Sequence, residues 1–254
     1  MNIKKTLISM LAVMALGQTA HAGGGDDPLL TMLKLDQFEI RNAGENLQVW
    51  EGSFWIGHDM NKLYVYSTGE ATKNGLESSQ NELVYSRAIA PFWDAQAGLT
   101  YDKNANASRT WAELAIAGLA PYYFKTHAAL LFNNEGNIGL RLDAEYDALL
   151  TQKLILTPSF EADFYTKDDP QMQTGSGLAN VEAGLRLRYE IVREVAPYIG
   201  VVWEKTFGNT ANYNPVNETN FLVGVKFWFQ EPDGLLSYTF HTHFIHITMV
   251  NSPY

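Results

Sequence analysis

The chain has 254 residues, enough for one large all-β domain, and its mean hydropathy of −0.17 excludes a bundle of hydrophobic helices. It has no cysteine, which excludes disulfide frameworks and thiolate metal sites. A formal charge of −10 excludes nucleic acid as a natural partner, because phosphate affinity needs a Lys/Arg surface.

Residues 1–22 read as a cleavable secretory signal. Lys4 and Lys5 form the charged start, Leu7 to Leu16 the apolar stretch, and Ala20-His21-Ala22 the small-x-small cleavage pattern. This is the one apolar run long enough to suggest a hydrophobic helix. Residues 23–31, Gly-rich and acidic, read as a short flexible leader. From Met32 the chain repeats one theme: about ten residues of alternating polarity, then a turn. Strands are expected near 33–42, 45–57, 60–71, 78–88, 92–102, 109–120, 122–132, 137–148, 153–165, 180–191, 195–207 and 219–229. The clearest is 137–148, where Ile138, Leu140, Leu142, Ala144 and Tyr146 alternate with Gly139, Arg141, Asp143, Glu145 and Asp147. The stretch 180–191 repeats the pattern. Pro158 inside 153–165 predicts a bulge or local break, since proline gives no ladder hydrogen bond. The longer polar stretches 102–108, 166–177 and 208–218 are expected as extracellular loops. Residues 230–254 form an atypical C-terminal tail.

Twelve two-faced strands behind an export signal predict an antiparallel transmembrane β-barrel over residues 32–229, in contact with outer-membrane lipid and monomeric. Alternation alone does not say which face meets lipid. The aromatics Tyr64, Tyr66, Phe92, Trp93, Tyr101, Trp111, Tyr122, Tyr123, Phe124, Tyr198, Trp203, Phe207, Phe227, Trp228 and Phe229 lie mostly near strand ends, where interfacial girdles are expected. The opposite faces would then line the lumen with Asp94, Gln96, Glu113, Lys125, His127, Arg141, Asp143, Glu145, Glu161, Asp163, Glu182, Arg186, Arg188, Glu190, Glu204 and Lys226. Charges at that density predict a salt-bridged interior. They serve either as wall support or as a narrow cation-attracting path.

Several ordered motifs resemble the copper resistance protein B family of outer-membrane proteins. They are Tyr85-Ser-Arg-Ala-Ile-Ala-Pro-Phe-Trp-Asp94, Arg109-Thr-Trp-Ala112, Gly118-Leu-Ala-Pro-Tyr-Tyr-Phe124, Glu145-Tyr-Asp147, Leu150-Thr-Gln152, Lys167-Asp-Asp-Pro170, Gly175-Ser-Gly-Leu178, Gly184-Leu-Arg-Leu-Arg-Tyr-Glu190 and Ala196-Pro-Tyr-Ile-Gly200. The likeness runs from about Leu35 to Phe229. It implies a non-enzymatic role in copper homeostasis at the Gram-negative outer membrane, with the copper ion as ligand and a periplasmic copper-binding protein as partner. The Met- and His-rich arm usual in the family is not matched here, since residues 23–34 carry Met32 and no His. Metal-ligand candidates in the barrel are His58 with Met60 at a turn, and His127 on a lumen face. The tail adds His241, His243, His246 and Met249, either as a metal site or as an extension unrelated to the family's role. Two other readings compete: a structural or narrow-diffusion barrel, and an outer-membrane hydrolase built on His127 and Ser108.

Overall fold

A computed structural model describes residues 27–43 and 46–231. The expected signal segment and the C-terminal tail, with its three histidines, lie outside the described residues. Thirteen strands follow one another: β1 (Leu30–Arg41), β2 (Leu47–Gly57), β3 (Asn61–Thr72), β4 (Gly75–Ala90), β5 (Trp93–Asn104), β6 (Ser108–Ala120), β7 (Phe124–Phe132), β8 (Ile138–Glu145), the two-residue β9 (Ala148–Leu149), β10 (Leu154–Tyr165), β11 (Gly177–Tyr189), β12 (Val195–Thr206) and β13 (Asn217–Glu231). Apart from β8 and β9, which both pair with β10, each strand pairs antiparallel with its chain neighbours, and β13 pairs with β1 from Thr31↔Glu231 to Arg41↔Leu222. The sheet therefore closes on itself and has no free edge.

β9 continues the line of β8, and both pair with β10, so the wall has twelve staves. The interruption lies opposite Pro158. Tyr146 N–H still donates to the Pro158 carbonyl at 3.1 Å, but proline has no N–H to return the bond. The pairing register is the same before and after the gap. Pro158 thus breaks the ladder on one side without a bulge.

Outward positions are apolar and exposed. They include Phe38 and Ile40 on β1, Leu63 and Val65 on β3, Leu114 and Ile116 on β6, Ile199 on β12, and Phe221 and Val223 on β13. In water such a belt would be a severe liability; around a closed barrel it is the lipid-facing surface. Phe92, Tyr122 and Tyr123 are exposed at the short turns of one end, as an aromatic girdle requires.

Four of the expected girdle aromatics instead point inward. Tyr64 and Tyr66 stack on each other at 5.2 Å between ring centroids and line the interior cavity. Trp111 is buried against Leu131, Tyr165 and Ala179. Tyr198 is buried with Val202 and Leu222. Parity explains all four: Tyr64 and Tyr66 alternate with exposed Leu63 and Val65, while Trp111 shares a face with Glu113 and Tyr198 with Glu204.

The expected loop 102–108 also shrinks to a three-residue turn, because β5 runs on to Asn104 and β6 begins at Ser108. Asn104 Oδ1 accepts from the N–H groups of Asn106 and Ala107 at 2.8 and 2.7 Å, closing the turn locally. The segments 166–176 and 207–216 remain the longest connections at that end. The former leans over the mouth: Arg109 on β6 donates to both oxygens of Asp169, and Met172 lines the cavity.

Candidate functional site

The interior holds a cavity of about 730 Å³ whose lining has twice as many carboxylates as Lys and Arg side chains. The charges fall into two regions of different character.

The first region lies behind the seam where β1 meets β13. Arg41 donates to both carboxylate oxygens of Glu182, at 2.7 and 3.1 Å, and to Glu39 at 2.9 Å. Arg186 donates to Glu39 at 3.0 and 3.1 Å, to Gln37 at 2.8 Å and to Ser159 at 3.0 Å. Tyr198 O–H also donates to Glu39, at 2.9 Å. Its ring lies directly over Gly224, where a Cβ would stand 2.5 Å from the ring, so glycine lets the tyrosine reach Glu39. The network ties β1 to β11 across the two strands between them.

Sequence reasoning missed Asp36, Gln37, Glu39 and Arg41, the contribution of β1. The cause is a β-bulge. Pairing of β1 with β2 slips by one residue between Leu35 and Gln37, so Asp36 and Gln37 both face inward. Strict alternation puts one of them outside. Asp36 then accepts at 2.6 Å from Lys226, a predicted lumen residue whose partner the sequence did not show.

Smaller paired groups follow around the wall. Arg141 binds Asp102 at 2.7 Å, has Asp163 at 3.6 Å, and donates to Tyr165 at 3.1 Å. Lys125 bridges Glu145 and Asp147, each at 2.7 Å, and Arg188 reaches Asp147 at 3.0 Å.

The second region is a row of acids. Glu218, Glu204, Glu182, Glu161 and Asp143 are directly opposed in register on β13, β12, β11, β10 and β8, and Asp143 is opposed to His127 on β7. Opposed residues of an antiparallel ladder share a face, so these side chains follow one line along the inner wall. The register continues through Ala117 to Asp94. Glu218 is the second residue of β13 at the loop end, and Asp94 is the second residue of β5 at the short-turn end. Strand tilt therefore makes the row a spiral from one mouth to the other. Glu182 is paired to Arg41, but Glu161 and Glu204 have no ion pair among the described residues. Asp94 accepts from Ser86 at 3.1 Å and has no ion pair either. Glu190 lies just beyond β11, outside every described ion pair.

The predicted ligand candidates are not brought together. His58 and Met60 sit at the exposed β2–β3 turn, where His58 Nδ1 is 3.0 Å from the Asp27 carbonyl. His127 is inside, its Nδ1 3.2 Å from Asp143 and its Nε2 3.9 Å from Glu113. Among the described residues no group of three or more His, Asp or Glu is arranged to hold a metal ion. Ser108 stands nine positions along β6 from Ala117, the residue opposite His127. At about 3.3 Å per residue that is roughly 30 Å, far beyond any nucleophile–base contact.

Over residues 29–229 the chain matches the family model described as copper resistance protein B precursor (CopB). It is 39% identical over 210 residues to copper resistance protein B of Escherichia coli, covering 80% of this chain and 71% of that protein. It is 36% identical over 219 residues to a copper resistance protein B homolog of Pseudomonas syringae pv. tomato, covering 83% of this chain and 74% of that protein. Among solved structures, the NanC porin superposes with a TM-score of 0.50 at 13% identity, over 78% of this chain and 98% of that one. That likeness concerns the fold alone. A match this long, on a barrel of the outer-membrane type, places the chain in the copper resistance protein B family.

Proposed function

We propose that this barrel takes copper ions as cargo into its acidic interior and passes them across the outer membrane of a Gram-negative cell, after export under the cleavable signal 1–22. The observation that carries this reading is the spiral of carboxylates from Glu218 to Asp143, ending at His127 and running on to Asp94. A cleft lined by one sign of charge concentrates the opposite ion and speeds its entry. Carboxylate and imidazole are hard to intermediate donors and suit Cu(II), while thioethers suit Cu(I). Unpaired acids at Glu161 and Glu204 are costly in a wall built only for strength, and a passing cation offsets that cost. The family relationship supplies the identity of the ion. The role involves no chemical transformation.

Purified full-length protein reconstituted in lipid vesicles, loaded with a copper-quenched dye, tests the proposal. Copper entry well above that of protein-free vesicles is expected, and entry at the protein-free rate sinks it. A second reading, a barrel whose charges only brace the wall, draws on the Arg41–Glu182–Glu39–Arg186 network. It expects no copper entry at all.

A further inference from the structure

Two buried donor atoms face each other across the β6–β7 pair with nothing bonded to either. Glu113 Oε1 and His127 Nε2 are both closed to solvent and lack hydrogen-bond partners. They stand 3.9 Å apart, and the Glu113 side chain is wholly buried. That gap is too long for a hydrogen bond.

The remaining atoms of both side chains are committed. Thr100 Oγ1 donates to Glu113 Oε2, which fixes the carboxylate with Oε1 turned toward the histidine. Asp143 Oδ2 lies 3.2 Å from His127 Nδ1. A carboxylate there favours the proton on Nδ1, and in the neutral imidazole this leaves Nε2 with a lone pair. Two lone pairs then point at each other in a buried site, which is unfavourable unless a positive group lies between them. A histidine that donates one N–H to a carboxylate and offers its other nitrogen is the usual arrangement of a metal-ligating imidazole. Divalent first-row ions bond imidazole nitrogen and carboxylate oxygen at about 2.0–2.2 Å. Two such bonds meeting at a wide angle span the 3.9 Å observed. Gln96 Oε1, on the neighbouring strand, is a further buried acceptor without a partner.

We propose that Glu113 and His127 hold a divalent transition-metal ion, Cu(II), with Asp143 as the positioning residue that orients the imidazole. The identity of the ion rests on the copper reading above; the site does not require that ions cross the membrane. With only two protein ligands the ion is held loosely enough to leave, as a conducting site demands.

Equilibrium dialysis and electron paramagnetic resonance on the folded full-length protein with Cu(II) alone test the site. The wild type is expected to hold one more Cu(II) than His127→Gln, with nitrogen coupling that this variant loses. Glu113→Gln should weaken the same copper at least tenfold, and His58→Ala should leave it unchanged. Equal stoichiometry and equal nitrogen coupling in wild type and His127→Gln overturn the proposal. The heat-dependent gel shift of a folded barrel checks each variant; should His127→Gln not fold, unchanged affinity in Glu113→Gln overturns the site and a tenfold loss upholds it. Vesicle entry separates the two claims: copper bound at the site without entry sinks passage alone, and entry without the site sinks the site alone.

Discussion

The two sides of the barrel interior solve the problem of buried charge in opposite ways. Behind the β1–β13 seam a cluster of charges is fully answered: Arg41, Glu39, Arg186 and Glu182 form a closed set, and Gln37, Ser159 and Tyr198 take up further hydrogen bonds. Along β5 to β10 some charges are paired, as Arg141 is to Asp102, but others are left open: among the described residues Glu161 has no ion pair, and Glu113 and His127 hold facing atoms with no hydrogen-bond partner. Burial costs several kcal/mol per ion unless pairing and hydrogen bonds offset it. A satisfied network needs no other purpose than to hold the seam shut. An unsatisfied one is stable only because the site is polar and water-filled, or because a cation visits it. On the proposed function, the contrast separates the part of the interior that holds the barrel from the part that would handle cargo.

The strongest way to break this contrast is at Glu39. Glu39→Ala removes the carboxylate that Arg41 and Arg186 share, leaving Arg41 to Glu182 and Arg186 to the neutral Gln37 and Ser159, in a place almost closed to solvent. Breaking a buried pair by removing one partner costs about 3–5 kcal/mol. Denaturant unfolding of the purified barrel in lipid should show a loss of that size. A loss under about 1 kcal/mol would mean that the seam network is not the brace described here.

A smaller loss is expected at the mouth. Arg109 grips Asp169 through two nitrogens and also donates to Gln171 at 3.0 Å. Hydrogen bonds to charged groups contribute about 1.5–3 kcal/mol when well buried, and this pair is partly exposed, so about 1 kcal/mol of local stability is at stake. Arg109→Ala should speed hydrogen exchange and proteolysis in 166–176 while leaving global unfolding nearly unchanged. Equal protection of that loop in both proteins would refute the tether.

Glu161 sharpens the contrast from the open side. It stands between Glu182 and Asp143, with acids opposite it on both neighbouring strands. Glu161→Gln removes like-charge repulsion of roughly 0.2–1 kcal/mol, so the variant should be as stable as the wild type or slightly more so. Copper entry into vesicles should nevertheless fall several-fold, on the order of 10-fold at low salt. A destabilised variant with unchanged entry would reverse the roles assigned to the two regions.

The staves of this barrel were legible because lipid outside and charge inside impose opposite demands on alternate residues. All twelve expected strands are present, and the seam closes where the alternating pattern of 219–229 predicts. The inward set was legible wherever alternation is strict, as at Arg141, Asp143, Glu182 and Arg186. It failed at β1, where one inserted residue turns Asp36 and Gln37 to the same face. It failed also for Tyr64, Tyr66, Trp111 and Tyr198, for which position near a strand end outweighed parity with neighbours of known facing. Parity was the better guide, since Trp111 lies two residues before Glu113 and Tyr198 six before Glu204. Both Glu113 and His127 were legible as inward residues, but their approach to 3.9 Å was not, because it depends on the offset between β6 and β7, which no local pattern carries.

The smallest expected effect concerns acid, and it tests whether the mouth is held as the seam is held. Asp168 accepts from Ser176 N–H at 2.6 Å and from Asn209 at 3.1 and 3.2 Å, tying 166–176 to 207–216. These bonds, that of Ser176 first, hold its carboxyl below the ordinary value of 3.8. A depressed folded value means that the tether is fully present above the ordinary value and is lost as pH falls through the folded one. Asp168 is fully exposed, so solvent screens most of the effect. Proteolysis of the 166–176 loop by an acid-active protease should therefore rise as pH is lowered below about 4, with the barrel intact. Asp168→Asn should raise cleavage already at the highest pH tested and flatten its pH dependence. The same steep dependence in Asp168→Asn would overturn the assignment of the acid response to Asp168.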